Sequence, residues 1–187
     1  MKLICIGDSL VYGYGVRVSQ RWTGLLSSAD WEVENLGVNG DTTGGILPRL
    51  CSRLEKLSPA DPAVLFVLGG CNDIFYSGTD TAARANMGAM LQQILSKGQI
   101  PVLGIPMPIG DDSFPEAWAR VVDFKAASAQ IVSYREWLKS FCGAFGVNYI
   151  DFGEVIDKSL LIDGLHPSPE GHKKIAGLVE NSLRSIR

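Results

Sequence analysis

The sequence predicts an α/β protein with helices on both faces of a parallel sheet, which is a three-layer α/β/α sandwich. Short apolar runs of strand length alternate five times with longer segments in which apolar residues recur at helical spacing. One of these runs, residues 63–68, is apolar on both faces, as central strands of parallel sheets are. Because crossovers between parallel strands are right-handed, few strand orders remain. Among them we favour the flavodoxin-like order 2-1-3-4-5.

The first strand is predicted for residues 1–6, an apolar run that ends at Gly7 and Asp8. From residue 10 to residue 26 we expect a helix that brings the chain back over the sheet. The apolar residues at helical spacing towards its end are Trp22, Leu25, Leu26 and Ala29. Ser9 therefore lies where a strand ends and a helix approaches, the position at which open α/β sheets bind ligands. A serine there is either a helix cap or a nucleophile.

The other four strands follow from their residue patterns. Residues 31–37 alternate apolar and polar side chains, which indicates a strand nearer to an edge of the sheet. Residues 63–68 form the third strand. Residues 100–106 form the fourth, whose prolines indicate fewer ladder hydrogen bonds. Residues 147–151 complete the sheet.

The helices between these strands are predicted by their apolar faces. The faces consist of Ile46, Leu47, Leu50, Cys51, Leu54 and Leu57, then Met87, Met90, Leu91, Ile94 and Leu95, then Ile131, Tyr134, Trp137, Leu138, Phe141 and Phe145, and finally Ile175, Leu178, Val179, Leu183 and Ile186. Thr42 or Thr43 is suited to cap the first of these helices, and residues 168–170 open the last.

The stretch from residue 107 to residue 124 has the least regular pattern. Its prolines and the Asp111-Asp112 pair favour a loop, and Pro115 indicates a helix start. The sequence suggests no function for this stretch.

The composition bounds the class of protein. With 187 residues, 46% of them hydrophobic, residues 1–187 are expected to form one domain with a sizeable core. The net charge of −3 and the lack of a Lys/Arg-rich run argue against a nucleic-acid partner. No apolar stretch is long enough to span a membrane and no segment resembles a secretory signal, so we expect a cytoplasmic protein without stable membrane insertion.

The four cysteines show no spacing typical of a metal site or a redox pair. They are Cys5, Cys51, Cys71 and Cys142. We expect them to be reduced and mostly buried, in keeping with a cytoplasmic protein.

Polar residues follow four of the predicted strands, and the carboxyl ends of parallel strands share one edge of a sheet. Ser9 follows the first strand, Gly40 the second and Asn72 the third. Asp163 and His166 follow the fifth. A serine nucleophile needs a base to take its proton, and the base needs a partner that fixes its tautomer. We therefore interpret Ser9, His166 and Asp163 as nucleophile, base and orienting carboxylate.

A tetrahedral intermediate also requires hydrogen-bond donors aimed at its oxyanion. The backbone amides of Ser9 and Gly40 and the side-chain amide of Asn72 can supply three. Glycine at position 40 lets the backbone approach an acyl carbon closely. The alternatives are that Gly40 only shapes a glycine-rich turn and that Asn72 only braces its own loop.

The neighbours of these residues are expected to have structural roles. Asp8, Asp41 and Asp73 would hold their loops through side-chain hydrogen bonds to the backbone, and Cys71 would be a structural thiol. His172 falls inside the last helix, where we expect it to be partly exposed and structural. Four aromatic residues either line a pocket or pack the loops, and both interpretations stay open. They are Tyr12, Tyr14, Phe75 and Tyr76.

The predicted site residues stand in four blocks that resemble those of the SGNH hydrolases, which include esterases, lysophospholipases, thioesterases and carbohydrate acetylesterases. Residues 7–10 match the family's GDSL block, residues 39–43 its glycine block, residues 70–73 its G-x-N-D block and residues 163–167 its D-x-x-H-P block. The blocks occur in family order over nearly the whole chain. The resemblance implies a flavodoxin-like α/β/α fold. It also implies functional roles for Ser9, Gly40, Asn72, Asp163 and His166.

These arguments predict a GDSL-type serine esterase that forms a covalent acyl-enzyme with a small-molecule ester. A short acyl group is our first choice, with a carbohydrate acetyl ester, a lysophospholipid or a thioester as alternatives. Neither a metal nor an organic cofactor is implied. The rival interpretation from another class is a non-catalytic module that binds an acylated sugar or lipid. A nucleotide- or flavin-binding domain is disfavoured because G-x-G-x-x-G and G-x-x-x-x-G-K-[ST] are both absent.

Overall fold

The five apolar runs form one parallel sheet. In the computed structural model, which describes residues 1–26, 31–110 and 114–186, the strands are β1 (Lys2–Gly7), β2 (Glu32–Gly37), β3 (Val64–Leu68), β4 (Ile100–Ile105) and β5 (Asn148–Asp151). They are hydrogen-bonded in the order β2-β1-β3-β4-β5, all in parallel. The predicted strand order and the flavodoxin-like architecture are confirmed.

The centre of the sheet is formed by β1 and β3. Ile4 pairs with Leu65 and Ile6 with Val67. Every residue of β3 is fully buried, as a strand with helices on both faces should be. In contrast, β2 is only half-buried, which confirms its predicted place at an edge.

Helices surround this sheet. The described α-helices are α1 (Ser9–Tyr12), α2 (Trp22–Leu25), α3 (Thr43–Leu54), α4 (Cys71–Ser77), α5 (Thr81–Ser96), α6 (Glu116–Ala119), α7 (Phe124–Phe145) and α8 (Pro169–Arg184). Single 3₁₀ turns cover Val18–Gln20, Phe152–Glu154 and Lys158–Leu160. The pairs α3 and α5, α2 and α8, and α4 and α7 pack against each other. Within the described ranges, no helix has both the length and the apolar character that crossing a membrane requires.

The predicted helix from residue 10 to residue 26 is wrong. The chain instead forms the short helix α1, a loop with one 3₁₀ turn, and the short helix α2. Gly13 ends α1 because its backbone adopts the left-handed region, with φ of 81°, and its N–H donates to the Ser9 carbonyl. Gly15 is left-handed as well, with φ of 80°. Ala29, the last residue of the predicted spacing, lies outside the described residues.

Helix α4 is a second departure, because the sequence predicted only a loop after β3. Its seven residues lie between Gly70 and Gly78, which are both left-handed. So short a helix shows too little periodicity to be detected from sequence.

The helix starts predicted at Pro115 and Ser168 are confirmed. Pro115 immediately precedes α6, and the Ser168 hydroxyl caps α8 by accepting the Gly171 N–H at 3.2 Å. The Asp111-Asp112 pair lies outside the described residues. All four cysteines are free thiols, and three of them are buried, which agrees with their predicted state.

Candidate active site

The predicted site residues lie together at the carboxyl-terminal edge of the sheet. Ser9 follows β1, Gly40 follows β2 and Asn72 follows β3, while Asp163 and His166 belong to the loop before α8. Four of the five line a single cavity, and the fifth, Asp163, is hydrogen-bonded to His166.

Ser9 is the first residue of α1, directly after the turn that ends β1. Asp8 caps this helix, because its Oδ1 accepts the Leu10 N–H at 2.9 Å. Gly7 is needed before the turn, since a Cβ at this position would lie 2.1 Å from the Leu68 carbonyl oxygen. β1 and β3 therefore stay in close contact up to the residue that precedes the turn.

The His166 imidazole connects Ser9 to Asp163. Its Nε2 lies 2.8 Å from Ser9 Oγ, and its Nδ1 lies 2.8 Å from Asp163 Oδ2. The other carboxylate oxygen accepts the backbone N–H groups of His166 at 2.8 Å and of Leu165 at 3.1 Å. The carboxylate is thus fixed within the same turn as the imidazole.

The charge of Asp163 follows from these contacts. Burial opposes its ionisation, but hydrogen bonds from the His166 ring and from two backbone N–H groups outweigh burial and lower the pKa of Asp163 below its usual value. The carboxylate is therefore ionised at neutral pH. Its position favours the tautomer with the proton on Nδ1 of His166, which leaves Nε2 to accept the Ser9 hydroxyl.

Backbone hydrogen bonds hold the loop that carries both residues. The Ile162 N–H donates to the His166 carbonyl at 2.8 Å, and the Gly110 N–H donates to the Gly164 carbonyl at 2.7 Å. The loop is thereby closed on itself and tied to the chain after β4. We conclude that the imidazole is held by its backbone as well as by its ring nitrogens.

The three predicted oxyanion donors lie around Ser9. Gly40 is left-handed, with φ of 73°, so this turn requires glycine. Asn72 donates one side-chain hydrogen to the Asp41 carbonyl at 2.8 Å, which braces the turn after β2 and leaves a second hydrogen available. In the described part of the chain, no backbone carbonyl accepts the N–H of Ser9 or of Gly40.

Three carboxylates next to the site hold its loops, but among the described contacts only those of Asp8 and Asp73 accept backbone N–H groups, as predicted. The prediction is wrong for Asp41, whose carboxylate pairs with a side chain. Asp8 makes the local bond to Leu10. Asp73 accepts the Thr43 N–H at 2.9 Å and its hydroxyl at 2.6 Å. Asp41 forms an ion pair with Arg49 at 2.6 Å.

Arg49 extends this bracing to the strands, because its guanidinium also donates to the Gly7 carbonyl at 2.9 Å and the Leu36 carbonyl at 2.7 Å. Burial, with smaller effects of the neighbouring Asp73 and Asp41 charges, raises the pKa of Asp8 to about 7. The loops after β1, β2 and β3 are thus joined by one polar network beneath Ser9.

The cavity beside Ser9 has a volume of about 260 Å³ and is mostly aromatic and aliphatic. Its lining residues are Ser9, Tyr14, Asn39, Gly40, Asn72, Phe75, Tyr76, Trp118, Val121, Val122, Phe124, Leu165 and His166. Three of the four aromatic residues that the sequence left open therefore line the pocket. Tyr12 does not, because its ring stacks beneath the Arg21 guanidinium at 4.0 Å.

One wall of the cavity was missed at the sequence level. It comes from the stretch 107–124 and is formed by Trp118, Val121, Val122 and Phe124. The Phe114 ring stacks on the Phe124 ring at 3.5 Å between centroids and braces this wall. The available signal was the number of large apolar residues in a segment with a loop-like pattern.

The second histidine differs from its prediction. His172 is fully buried rather than partly exposed, although its role is structural, as expected. Its Nδ1 accepts the Trp22 N–H at 3.3 Å, and its buried Nε2 has no hydrogen-bond partner among the described residues. Burial, with smaller effects of Arg21 and His166, lowers the pKa of His172 to about 4.

The described residues contain no group of three or more His, Cys, Asp or Glu side chains arranged to hold a metal ion. The polar groups around Ser9 are its own hydroxyl, the His166 imidazole with the Asp163 carboxylate, and N–H groups. Such a set can perform acyl transfer with the protein's own residues.

Comparison with known proteins supports this chemistry. Residues 5–174 match the model of the GDSL-like Lipase/Acylhydrolase family, a range that contains all five predicted site residues. The esterase TesA of Pseudomonas aeruginosa is 29% identical over 192 aligned residues, which cover 98% of this chain and 88% of TesA. An arylesterase of Vibrio mimicus is 26% identical, with 97% of this chain and 88% of the relative covered.

Solved structures share the fold over the full length. The aryl esterase of M. smegmatis matches with a TM-score of 0.87 at 20% identity, covering 100% of this chain and 99% of that chain. Est24, a carbohydrate acetylesterase from Sinorhizobium meliloti, matches with a TM-score of 0.86 at 19% identity and the same coverage.

Proposed function

The chain belongs to the GDSL-like lipase/acylhydrolase family and is a carboxylic ester hydrolase, and we propose that it hydrolyses small esters through a covalent intermediate on Ser9. In this proposal Ser9 is the nucleophile, His166 the general base and acid, and Asp163 the carboxylate that orients the imidazole. The N–H groups of Ser9, Gly40 and Asn72 bind the oxyanion.

The first half of the reaction acylates the enzyme. Ser9 Oγ attacks the ester carbonyl while its proton passes to His166 Nε2, and the carbonyl oxygen becomes an oxyanion. The intermediate collapses when the bond from the carbonyl carbon to the alkoxy oxygen breaks. His166 returns the proton to that oxygen, so the alcohol leaves neutral and the acyl group stays on Ser9.

The second half regenerates the enzyme with water as the nucleophile. His166 takes a proton from the water, the hydroxide equivalent attacks the acyl carbon, and a second oxyanion forms in the same place. The Ser9 oxygen then leaves and recovers its proton from His166. Asp163 stays ionised throughout, in keeping with the lowered pKa that its hydrogen bonds give it.

One observation carries the proposal. The hydrogen bonds from Ser9 Oγ to His166 Nε2 and from His166 Nδ1 to Asp163 Oδ2 are both 2.8 Å long. At the Ser9 end of these two hydrogen bonds lies a cavity large enough for a small acyl or alkoxy group. A serine that served only as a helix cap would need neither the imidazole nor the cavity.

The size and lining of the cavity favour short, uncharged esters. Its volume of about 260 Å³ lies just below the range for pockets that hold drug-sized molecules, roughly 300–1,000 Å³. Among the described residues, no Lys or Arg lines it, so a phosphate on the substrate would find no cation to pair with. This argues for acetyl and similar esters over lysophospholipids and phosphate-bearing thioesters. The relatives named as an arylesterase and a carbohydrate acetylesterase agree with such substrates.

The direct test is Ser9→Ala, measured with p-nitrophenyl acetate. We expect loss of hydrolysis to the background rate, with the circular dichroism spectrum unchanged, because Asp8 still caps α1. The matched control is Ser96→Ala on an exposed turn of α5, which should retain the activity of the parent protein. Full activity of Ser9→Ala would refute the proposal.

A fluorophosphonate probe separates the esterase from the non-catalytic binding module. The parent protein should be labelled once, on Ser9, whereas a binding module would stay unlabelled. A series of p-nitrophenyl esters of increasing chain length then tests the substrate range. Fastest turnover of the long-chain esters would contradict the small-pocket argument.

A further inference from the structure

The imidazole of His166 is covered by aromatic rings as well as bound at both nitrogens. The Tyr14 ring lies 4.4 Å from it between centroids, with an angle of 42° between the planes. The Trp118 ring lies 6.0 Å away, nearly perpendicular at 74°. Tyr14 is therefore the closer of the two aromatic neighbours.

The loop after α1 is built to hold Tyr14 in this place. Gly13 and Gly15, on either side of it, both adopt left-handed backbone conformations. The N–H groups of Gly13 and Tyr14 donate to the Ser9 carbonyl at 2.9 and 3.2 Å. The position of the tyrosine is thus tied directly to the backbone of the serine.

The same loop packs against the segment that carries His166. Gly15 lies against Ile162, the residue before Asp163, because a Cβ at Gly15 would lie 2.3 Å from Ile162 Cδ1. Its φ of 80° favours glycine at this position. The loop with Tyr14 therefore joins the Ser9 turn on one side and the Asp163–His166 turn on the other.

An aromatic ring in this position has a consequence for proton transfer. When Ser9 is deprotonated the imidazole becomes a cation, and a cation within about 6 Å of an aromatic centroid is attracted by the ring's quadrupole. We propose that Tyr14 is a positioning residue that holds the His166 ring and stabilises its charged form in the transition state. This inference rests on the proposed function, since it assumes that His166 gains a proton during turnover.

The test is a series of substitutions at position 14 that changes the quadrupole of the ring separately from its shape. Tyr14→Phe should keep kcat within about twofold, since the ring face is retained. A trifluorinated phenylalanine at position 14 has nearly the same shape but a weakened quadrupole, and kcat should fall. Tyr14→Leu, which removes the ring, should lower kcat about two- to fivefold, the range for a cation–π contact at an exposed site.

Tyr76→Leu is the matched control. Tyr76 lines the same cavity, but within the described residues the rings in contact with His166 are those of Tyr14 and Trp118. We expect Tyr76→Leu to raise KM with little change in kcat, whereas the position-14 series should act mainly on kcat.

Two outcomes would overturn the inference. One is a fluorinated variant as fast as Tyr14→Phe, which would mean that only the shape of the ring matters. The other is an equal loss of kcat in Tyr14→Leu and Tyr76→Leu. Either result leaves the esterase proposal intact as long as Ser9→Ala is inactive, so the two failures are distinguishable.

Discussion

The two histidines of this chain lie six positions apart and are both buried, yet their surroundings suit opposite tasks. His166 has a carboxylate on Nδ1 and a serine hydroxyl on Nε2. His172 accepts a backbone N–H on Nδ1, and its Nε2 has no partner among the described residues. Burial alone therefore does not make a base. The partners of the two ring nitrogens, rather than burial, distinguish the predicted base from the structural imidazole.

The difference follows from where each residue lies. His166 belongs to a polar loop at the edge of the sheet, where Asp163 can turn back to it. His172 is the fourth residue of α8, which packs against α2. There it accepts the N–H of Trp22, the first residue of α2, which lacks a partner within its own helix. His172 thus caps a neighbouring helix, a task that requires a neutral ring.

The largest effect on kcat is expected when the two histidines are substituted one at a time. We expect His166→Gln to lower kcat for p-nitrophenyl acetate by on the order of 10⁴-fold or more, because the serine loses its base. His172→Gln should retain kcat, since glutamine can still accept the Trp22 N–H. Comparable activity losses in the two variants would contradict the division of roles.

A smaller loss should follow when His166 keeps its place but loses its carboxylate. Asp163→Asn replaces the acceptor on Nδ1 with an amide that can donate to it and so favours the wrong tautomer. The expected fall in kcat is on the order of 10³–10⁴-fold. Steady-state kinetics at constant pH measure it, with Asp157→Asn, an exposed loop carboxylate, as the matched control. Near-normal activity of Asp163→Asn would show that His166 needs no charged partner.

The two histidines also show which properties of a residue can be predicted from the sequence. His166 could be assigned because it stands in a block of polar residues with an aspartate three positions earlier. The burial of His172 could also have been predicted, since Ile175, Val179 and Leu183 continue the same face of α8 at helical spacing. Its flanking Glu170 and lysines suggested exposure, but helical periodicity determines which way a side chain faces.

Other features could not be derived from local patterns. The strands were predictable because buried parallel strands are apolar throughout. The break of the predicted first helix depends on Gly13 and Gly15, which both adopt left-handed backbone conformations, and Gly15 packs against Ile162. The wall formed by Trp118 and Val121 reaches the site only through the tertiary fold. Such long-range packing leaves no periodic signal in the sequence.

The smallest effect concerns stability in acid and involves only His172. Its pKa is about 4 in the folded protein and near 6.5 when the chain is unfolded, so between these values the unfolded state binds the additional proton. The neutral His172 ring therefore does not lower the free energy of unfolding above about pH 6.5. As the pH falls from 6.5 to about 4, the free energy of unfolding decreases by about 3 kcal/mol because of this residue. Asp8 acts in the opposite direction, because its raised pKa of about 7 favours the folded state as the pH falls from 7 to about 4.

The prediction therefore compares how much unfolding free energy the parent protein and His172→Gln each lose on acidification. Urea unfolding at pH 7 and at pH 4.5 should show that His172→Gln loses less stability on acidification than the parent protein, by about 2–3 kcal/mol. Asp8 and Arg21 are common to both proteins, so their effects cancel in the comparison. Equal losses would mean that His172 is protonated in the folded state without cost. In that case burial of the His172 ring would not lower its pKa, and its neutral state could not be attributed to its surroundings.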